Sequence, residues 1–202
     1  MNLHPDGATY SYAYGAFGDR QFGEANFAGT IKGGYWTGSA SSWVSLHPTG
    51  CPDSSIRGGD GTRFVGFATL GGRDRALLWL GGADNYVNLS PGADITSYAF
   101  AMRGEYQVGR AVIGGRDHAG VWMGSAESWF DLHTLLPGDI YTSSSAYGID
   151  IIGDTVVVVG TAWNSVLQRS EAVMWQVPEP SSLPAALCGF AGLGGLVLKR
   201  RT

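Results

Sequence analysis

The stretch RFVGFATLGGRDRALLWLGGADNYVNLSP, residues 63–91, is a series of short apolar and aromatic runs separated by Gly, Asp and Asn, with no helical period. Its landmarks return at a fixed step. Leu3, Leu46, Leu89 and Leu132 lie 43 residues apart, as do Trp36, Trp79 and Trp122, with Trp175 a further 53 along. A glycine keeps the same time: Gly23, Gly66, Gly109 and Gly160, at steps of 43, 43 and 51. The ring before the leucine is Trp43, Tyr86 and Trp129. A repeat of this length is one supersecondary unit that buries its apolar face only by stacking on its neighbours. The longer last unit places its extra residues in LLPGDIYTSSSA, residues 135–146.

Within the first unit, SYAYGAF, RQFGEANF, GGYWTG and SSWVSLHP read as four strands. Four strands per 40 to 50 residues predicts an all-β, β-propeller-like array of about four four-stranded blades. Residues 75–79, 118–122 and 171–175 are the expected third strands. These segments, with the Gln107-Val108-Gly109 type of run, resemble the HAF repeats of bacterial extracellular proteins, which are assigned as propeller blades.

Three blades, residues 8–47, 53–90 and 96–133, have four strands each, and the fourth, 143–176, ends after its third. Its outer strand is expected from the N-terminus, where Met1-Asn2-Leu3-His4-Pro5 matches only the tail end of such a strand. MNLHPDGATYSYAYG has neither a basic start nor an apolar run, so it is no secretory leader. The expectation is therefore the C-terminal part of a longer precursor; a four-bladed ring with a poor seam is the alternative.

Residues 177–202 are a separate unit. Residues 183–198 hold 16 uncharged positions, stopped by Lys199, Arg200 and Arg201. As a helix this run reaches roughly 24 Å, a short membrane anchor with its basic tip in the cytoplasm and the body of the chain on the far side. Val177, Pro178, Glu179 and Pro180 precede it after residue 176. Pro-Glu-Pro, a Ser pair, a short apolar helix and a terminal Lys-Arg-Arg resemble the PEP-CTERM sorting signal of Gram-negative, exopolysaccharide-producing bacteria. The resemblance implies a recognition box at 177–182, a transmembrane helix at 183–198 and a basic tail at 199–202. It further implies an exosortase as partner, which cleaves near the box and moves the body from an inner-membrane precursor to the cell surface or matrix. By that likeness Val177, Pro178, Glu179 and Pro180 are recognised rather than catalytic.

Composition narrows the body's role. The chain has 13 basic and 17 acidic residues, and without Glu179, Lys199, Arg200 and Arg201 the balance is 10 against 16. Nucleic acid is excluded as a partner, and with Lys32 as the one lysine before the tail there is no patch for anionic lipid. Cys51 and Cys188 do not pair, and no cofactor or metal site is expected. His4, His47 and His133, with Ser90 in the other unit, share one repeat position and read as structural. Asp53, Asp94 and Asp139 fall between blades, where acidic side chains around one mouth serve a cation or glycoside hydrolysis. Trp163, set against Ala68 and Ala111, is a candidate ring for stacking on sugar. The leading expectation is a non-catalytic exported surface protein with a structural, carbohydrate-binding or protein-binding role. A secreted propeller enzyme acting on polysaccharide and a protein-binding adhesion module are the alternatives.

Overall fold

The computed structural model describes residues 1–178. The expected C-terminal helix, Glu179, Pro180 and Lys199 to Arg201 lie outside them. Fifteen strands form four antiparallel sheets among the described residues. Sheet 1 is β1 (Tyr10–Phe17), β2 (Arg20–Phe27), β3 (Thr30–Trp36) and β4 (Val44–Ser45). Sheet 2 is β5 (Ser54–Gly59), β6 (Phe64–Leu70), β7 (Arg73–Gly82) and β8 (Asn85–Asn88). Sheet 3 is β9 (Ser97–Arg103), β10 (Tyr106–Ile113), β11 (Arg116–Trp122) and β12 (Phe130–Asp131). Sheet 4 has three strands, β13 (Tyr141–Ile152), β14 (Thr155–Asn164) and β15 (Arg169–Pro178). The strand counts and the third strands follow the sequence expectation. The N-terminal residues do not supply the absent strand of sheet 4, and Val177 and Pro178 still pair with Val156 and Thr155 in β15. The extra length of the last unit is also spread differently from the expectation. Four residues lie before β13, four lengthen the β13–β14 hairpin and two lengthen the β14–β15 hairpin.

The timing glycine has a steric cause. At Gly23, Gly66, Gly109 and Gly160 a methyl group would overlap the carbonyl oxygen of Tyr12, Ser55, Tyr98 and Ser145 on the neighbouring inner strand. Beside each glycine that strand bulges, with one extra residue at Tyr14, Arg57, Phe100 and Tyr147. Bulges of this kind bend a strand and re-aim the extra side chain. The β6–β7 and β10–β11 turns use Gly71-Gly72 and Gly114-Gly115, all at positive φ, as a two-residue hairpin of primed type requires.

Each sheet has a front face, which carries its tryptophan, and a rear face. The front of sheet 2, with Ile56, Phe64, Leu77 and Trp79, packs on Phe22 and Tyr35 at the rear of sheet 1. In the same way Ala99 and Trp122 cover Val65 and Leu78, and Ala146, Val158 and Trp175 cover Val108 and Val121. Trp36, Trp79 and Trp122 are fully buried and Trp175 nearly so. Their indole N–H groups find no acceptor, costing about 1–3 kcal/mol each. Burial of a whole indole, worth about 3–5 kcal/mol on truncation, outweighs that. Just before the fourth strand, Trp43 and Trp129 lie 4.5 Å from Trp36 and Trp122 and press onto Gly34 and Gly120. Where the third strand carries Leu77 instead, the smaller Tyr86 occupies that place.

The repeated histidine joins neighbouring sheets. At the first junction the Gly33 N–H donates to Ser54 Oγ at 2.9 Å, Ser54 Oγ lies 2.8 Å from His47 Nδ1, and His47 Nε2 lies 2.9 Å from the Cys51 carbonyl. A carbonyl only accepts, so Nε2 carries the proton and Nδ1 accepts from the serine. Ala119 N–H, Ser144 and His133 repeat the joint. Between sheets 2 and 3, Ala76 N–H still meets Ser97, while Ser90 donates to the carbonyls of Ile95 and Gly92, and Arg75 donates to those of Gly92 and Ala93. His4 spans Ser11 and the Ala8 carbonyl in front of sheet 1.

Gly66→Ala is expected to lower stability by about 1–3 kcal/mol in denaturant unfolding, because backbone rather than a mobile side chain must yield. Burial lowers the pKa of His47, and burial with the neighbouring His118 lowers that of His133. The unfolded imidazoles titrate near their ordinary value of about 6.5, so below it the unfolded chain takes up protons that the fold refuses. Stability is therefore full above about pH 6.5 and falls as the pH drops through it. Thermal melts at pH 7.5 and 5.5 read the loss, and His47→Gln, which removes one of the two groups, reduces it.

Candidate functional site

The inner strands β1, β5, β9 and β13 stand in series, each packed against the next. Their bulged residues lie on this common surface. The Arg57 guanidinium lies 3.8 Å from the centre of the Tyr14 ring and 5.5 Å from that of Phe67. Phe67 meets Tyr98 edge-on at 4.9 Å, Tyr98 is stacked with Phe100 at 6.2 Å, and Phe100 lies 5.3 Å from Tyr147. At the other end Tyr12 continues the series 6.2 Å from Tyr14. One line of rings thus crosses all four sheets. Tyr12, Tyr14 and Tyr147 are exposed and Phe100 half-buried.

Polar groups behind the rings hold them in place. The buried Glu24 carboxylate pairs with Arg57 at 3.6 Å. Tyr98 donates to Asp74 at 2.9 Å, and Arg110 lies over the Tyr98 ring at 4.8 Å while bridging to Asp117 at 2.6 Å. Burial pushes the phenols of Tyr14 and Tyr98 up to about 12, Tyr14 against the pull of Arg57 and Tyr98 with help from Asp74. Both remain neutral donors through the physiological range. A short distance further along the same strands, a depression of about 480 Å³ is lined by Phe17, Gly59, Asp60, Met102, Arg103, Gly104 and Ile151, so all four inner strands reach one mouth. Arg63 bridges Asp60 and Glu105 beside it.

The residues nominated from sequence lie elsewhere. Asp53 Oδ1 accepts from the Ile31 N–H at 2.8 Å, and the Asp53 carbonyl accepts from Thr69, so this residue ties sheet 2 to sheet 1. Asp94 and Asp139 are exposed in the loops before β9 and β13. The three are not brought together: among the described residues no group of three His, Cys, Asp or Glu side chains is placed to hold a metal ion. Trp163 is exposed, but on the rear of sheet 4, between Ser143 and Ser170. The register corrects its repeat position. Buried Ala162 is the counterpart of Ala68 and Ala111, and Trp163 that of Thr69 and Val112. The bulge residues went unnominated, although Tyr14, Arg57, Phe100 and Tyr147 recur at steps of 43, 43 and 47.

No protein-family model and no curated protein matches the chain. Among solved structures, the crystal structure of a puromycin hydrolase S511A mutant complexed with PGG matches with a TM-score of 0.53 at 12% identity. The match covers 85% of this chain and 29% of that one. It is a likeness of fold, to a propeller-like hydrolase.

Proposed function

We propose that this chain is a non-catalytic, exported component of the cell surface or extracellular matrix, whose sheets are propeller blades and whose inner strands bind polysaccharide. The observation that carries the reading is the line of exposed rings Tyr12, Tyr14 and Tyr147 with the half-buried Phe100. An exposed aromatic row beside a guanidinium has the chemistry that a sugar chain requires. Flat apolar faces meet the C–H faces of pyranose rings, and fixed polar groups meet their hydroxyls. Extended ligands suit it better than single sugars, because the rings are strung over several sheets. The low body charge agrees with a neutral or weakly charged glycan. The resemblance of residues 177–202 to a PEP-CTERM signal supports the destination: an exosortase acts on a membrane-anchored precursor and delivers the body to the surface.

Calorimetric titration with the host's own exopolysaccharide tests the site. Tyr14→Ala and Tyr147→Ala are each expected to weaken binding roughly tenfold, for a stacked ring worth about 1.4 kcal/mol, and Trp163→Ala to leave it unchanged. Wild-type affinity in both tyrosine variants overturns the assignment. For sorting, Glu179→Ala in the full chain is expected to hold the protein in the inner membrane, read by fractionation and by the mass of the recovered chain; surface delivery equal to wild type removes the exosortase reading.

A further inference from the structure

At the bulge position three of the four repeats carry a ring, Tyr14, Phe100 and Tyr147, and the second carries Arg57. The guanidinium takes the place of a ring in the line. It lies 3.8 Å from the centre of Tyr14, on sheet 1, and 5.5 Å from that of Phe67, on its own sheet 2. A planar guanidinium stacks on aromatic faces much as another ring does. Arg57 therefore keeps the row continuous between the two sheets and puts one positive charge into it.

That charge is the most loosely paired among the described arginines that meet a carboxylate. Arg63, Arg103, Arg110 and Arg169 reach theirs at 2.6 to 3.3 Å. Arg57 Nη2 stands 3.6 Å from Glu24 Oε2, past hydrogen-bond reach, and its buried Nε finds no partner among the described residues. Arg110 sets the contrast. It too is stacked on a ring, Tyr98 at 4.8 Å, with an unpartnered Nε, yet it is bonded to Asp117 at 2.6 Å. Glu24, its side chain 9% exposed, holds the Arg57 cation from behind, while 27% of the Arg57 side chain stays open to solvent. A guanidinium carries five N–H donors in a rigid fork. With Nε buried, the donors left for a ligand are those of the terminal nitrogens Nη1 and Nη2, a pair that matches the two oxygens of a carboxylate.

We infer that Arg57 is the subsite for a carboxylate on the bound glycan, so that the ring row selects a polysaccharide with uronic acid residues spaced among neutral sugars. The inference rests on the polysaccharide reading above and adds the chemical class of the ligand. A sugar carboxylate against the terminal N–H groups gains the short, charge-assisted bonds that Glu24 does not make. Tyr14, Phe100 and Tyr147 are left to the apolar faces of the neutral neighbours. The spacing follows from charge. The row holds one loosely paired cation, and the body has 10 basic against 16 acidic residues, so a chain with a carboxylate on every sugar is repelled.

Calorimetric titration of the full chain with two forms of the host's exopolysaccharide tests it. One form is native; in the other, carbodiimide and borohydride have reduced each uronic acid to the neutral sugar. The chain is expected to bind the native form about tenfold more tightly, as one charge-assisted pair provides. Raising the salt from about 0.05 to about 0.5 M is expected to remove most of that preference. Arg57→Gln is expected to bind both forms alike, at the affinity the parent has for the reduced one. Arg73→Gln, the same change of charge at the exposed β6–β7 turn, keeps the preference. Thermal melts check that Arg57→Gln folds, and the salt-dependent preference of the parent is read without any variant. Equal binding of both forms by the parent overturns the inference and leaves the polysaccharide reading standing, and so does a preference that survives in a folded Arg57→Gln. Binding of neither form removes both.

Discussion

The carbonyl oxygen of Tyr12, repeated at Ser55, Tyr98 and Ser145, sits where a side chain would otherwise stand on the second strand of each sheet. That contact demands glycine at Gly23, Gly66, Gly109 and Gly160 and accompanies a one-residue bulge in the inner strand. The bulge does two things at once. It bends the strand where neighbouring sheets converge, and it gives the extra residue an orientation that regular alternation would not. Because those residues are Tyr14, Arg57, Phe100 and Tyr147, the element that shapes the sheets also supplies the candidate binding surface.

Stacking of one sheet on the next rests on two different kinds of contact. Indole burial provides most of the energy and little direction, since a buried ring with an unpaired N–H is held by shape alone. The serine and histidine joints provide direction, each passing a backbone N–H through a hydroxyl to an imidazole, and at His47 the Cys51 carbonyl leaves that imidazole one usable tautomer. Where Ser90 replaces the histidine, its hydroxyl and the Arg75 guanidinium hold the loop instead. The same arrangement explains why sheet 4 stands out. Its front face is packed like the others, while its rear meets no other sheet among the described residues.

Much of this was legible in the sequence because a repeat displays one set of constraints four times. The period located the sheets and third strands, and the shared position of His4, His47 and His133 marked them as structural. The site was less legible. Trp163 drew attention as an aromatic without a counterpart, but register puts it one position further along, on the rear of sheet 4. Asp53 read as a free loop carboxylate, whereas it is tied to the Ile31 backbone. Tyr14, Phe100 and Tyr147 passed as ordinary strand aromatics, because spacing does not tell a bulged residue from its neighbour.

By itself the sequence determined the strand count, the period and the places where glycine and tryptophan are obligatory, since these are local demands of backbone clearance and of burying large rings. Which side chains share a surface was decided only by tertiary structure. A one-residue bulge moves every later side chain to the opposite face, and whether a face is covered depends on the sheet that stacks against it, as the buried Val108 and the open Val159 show at one repeat position.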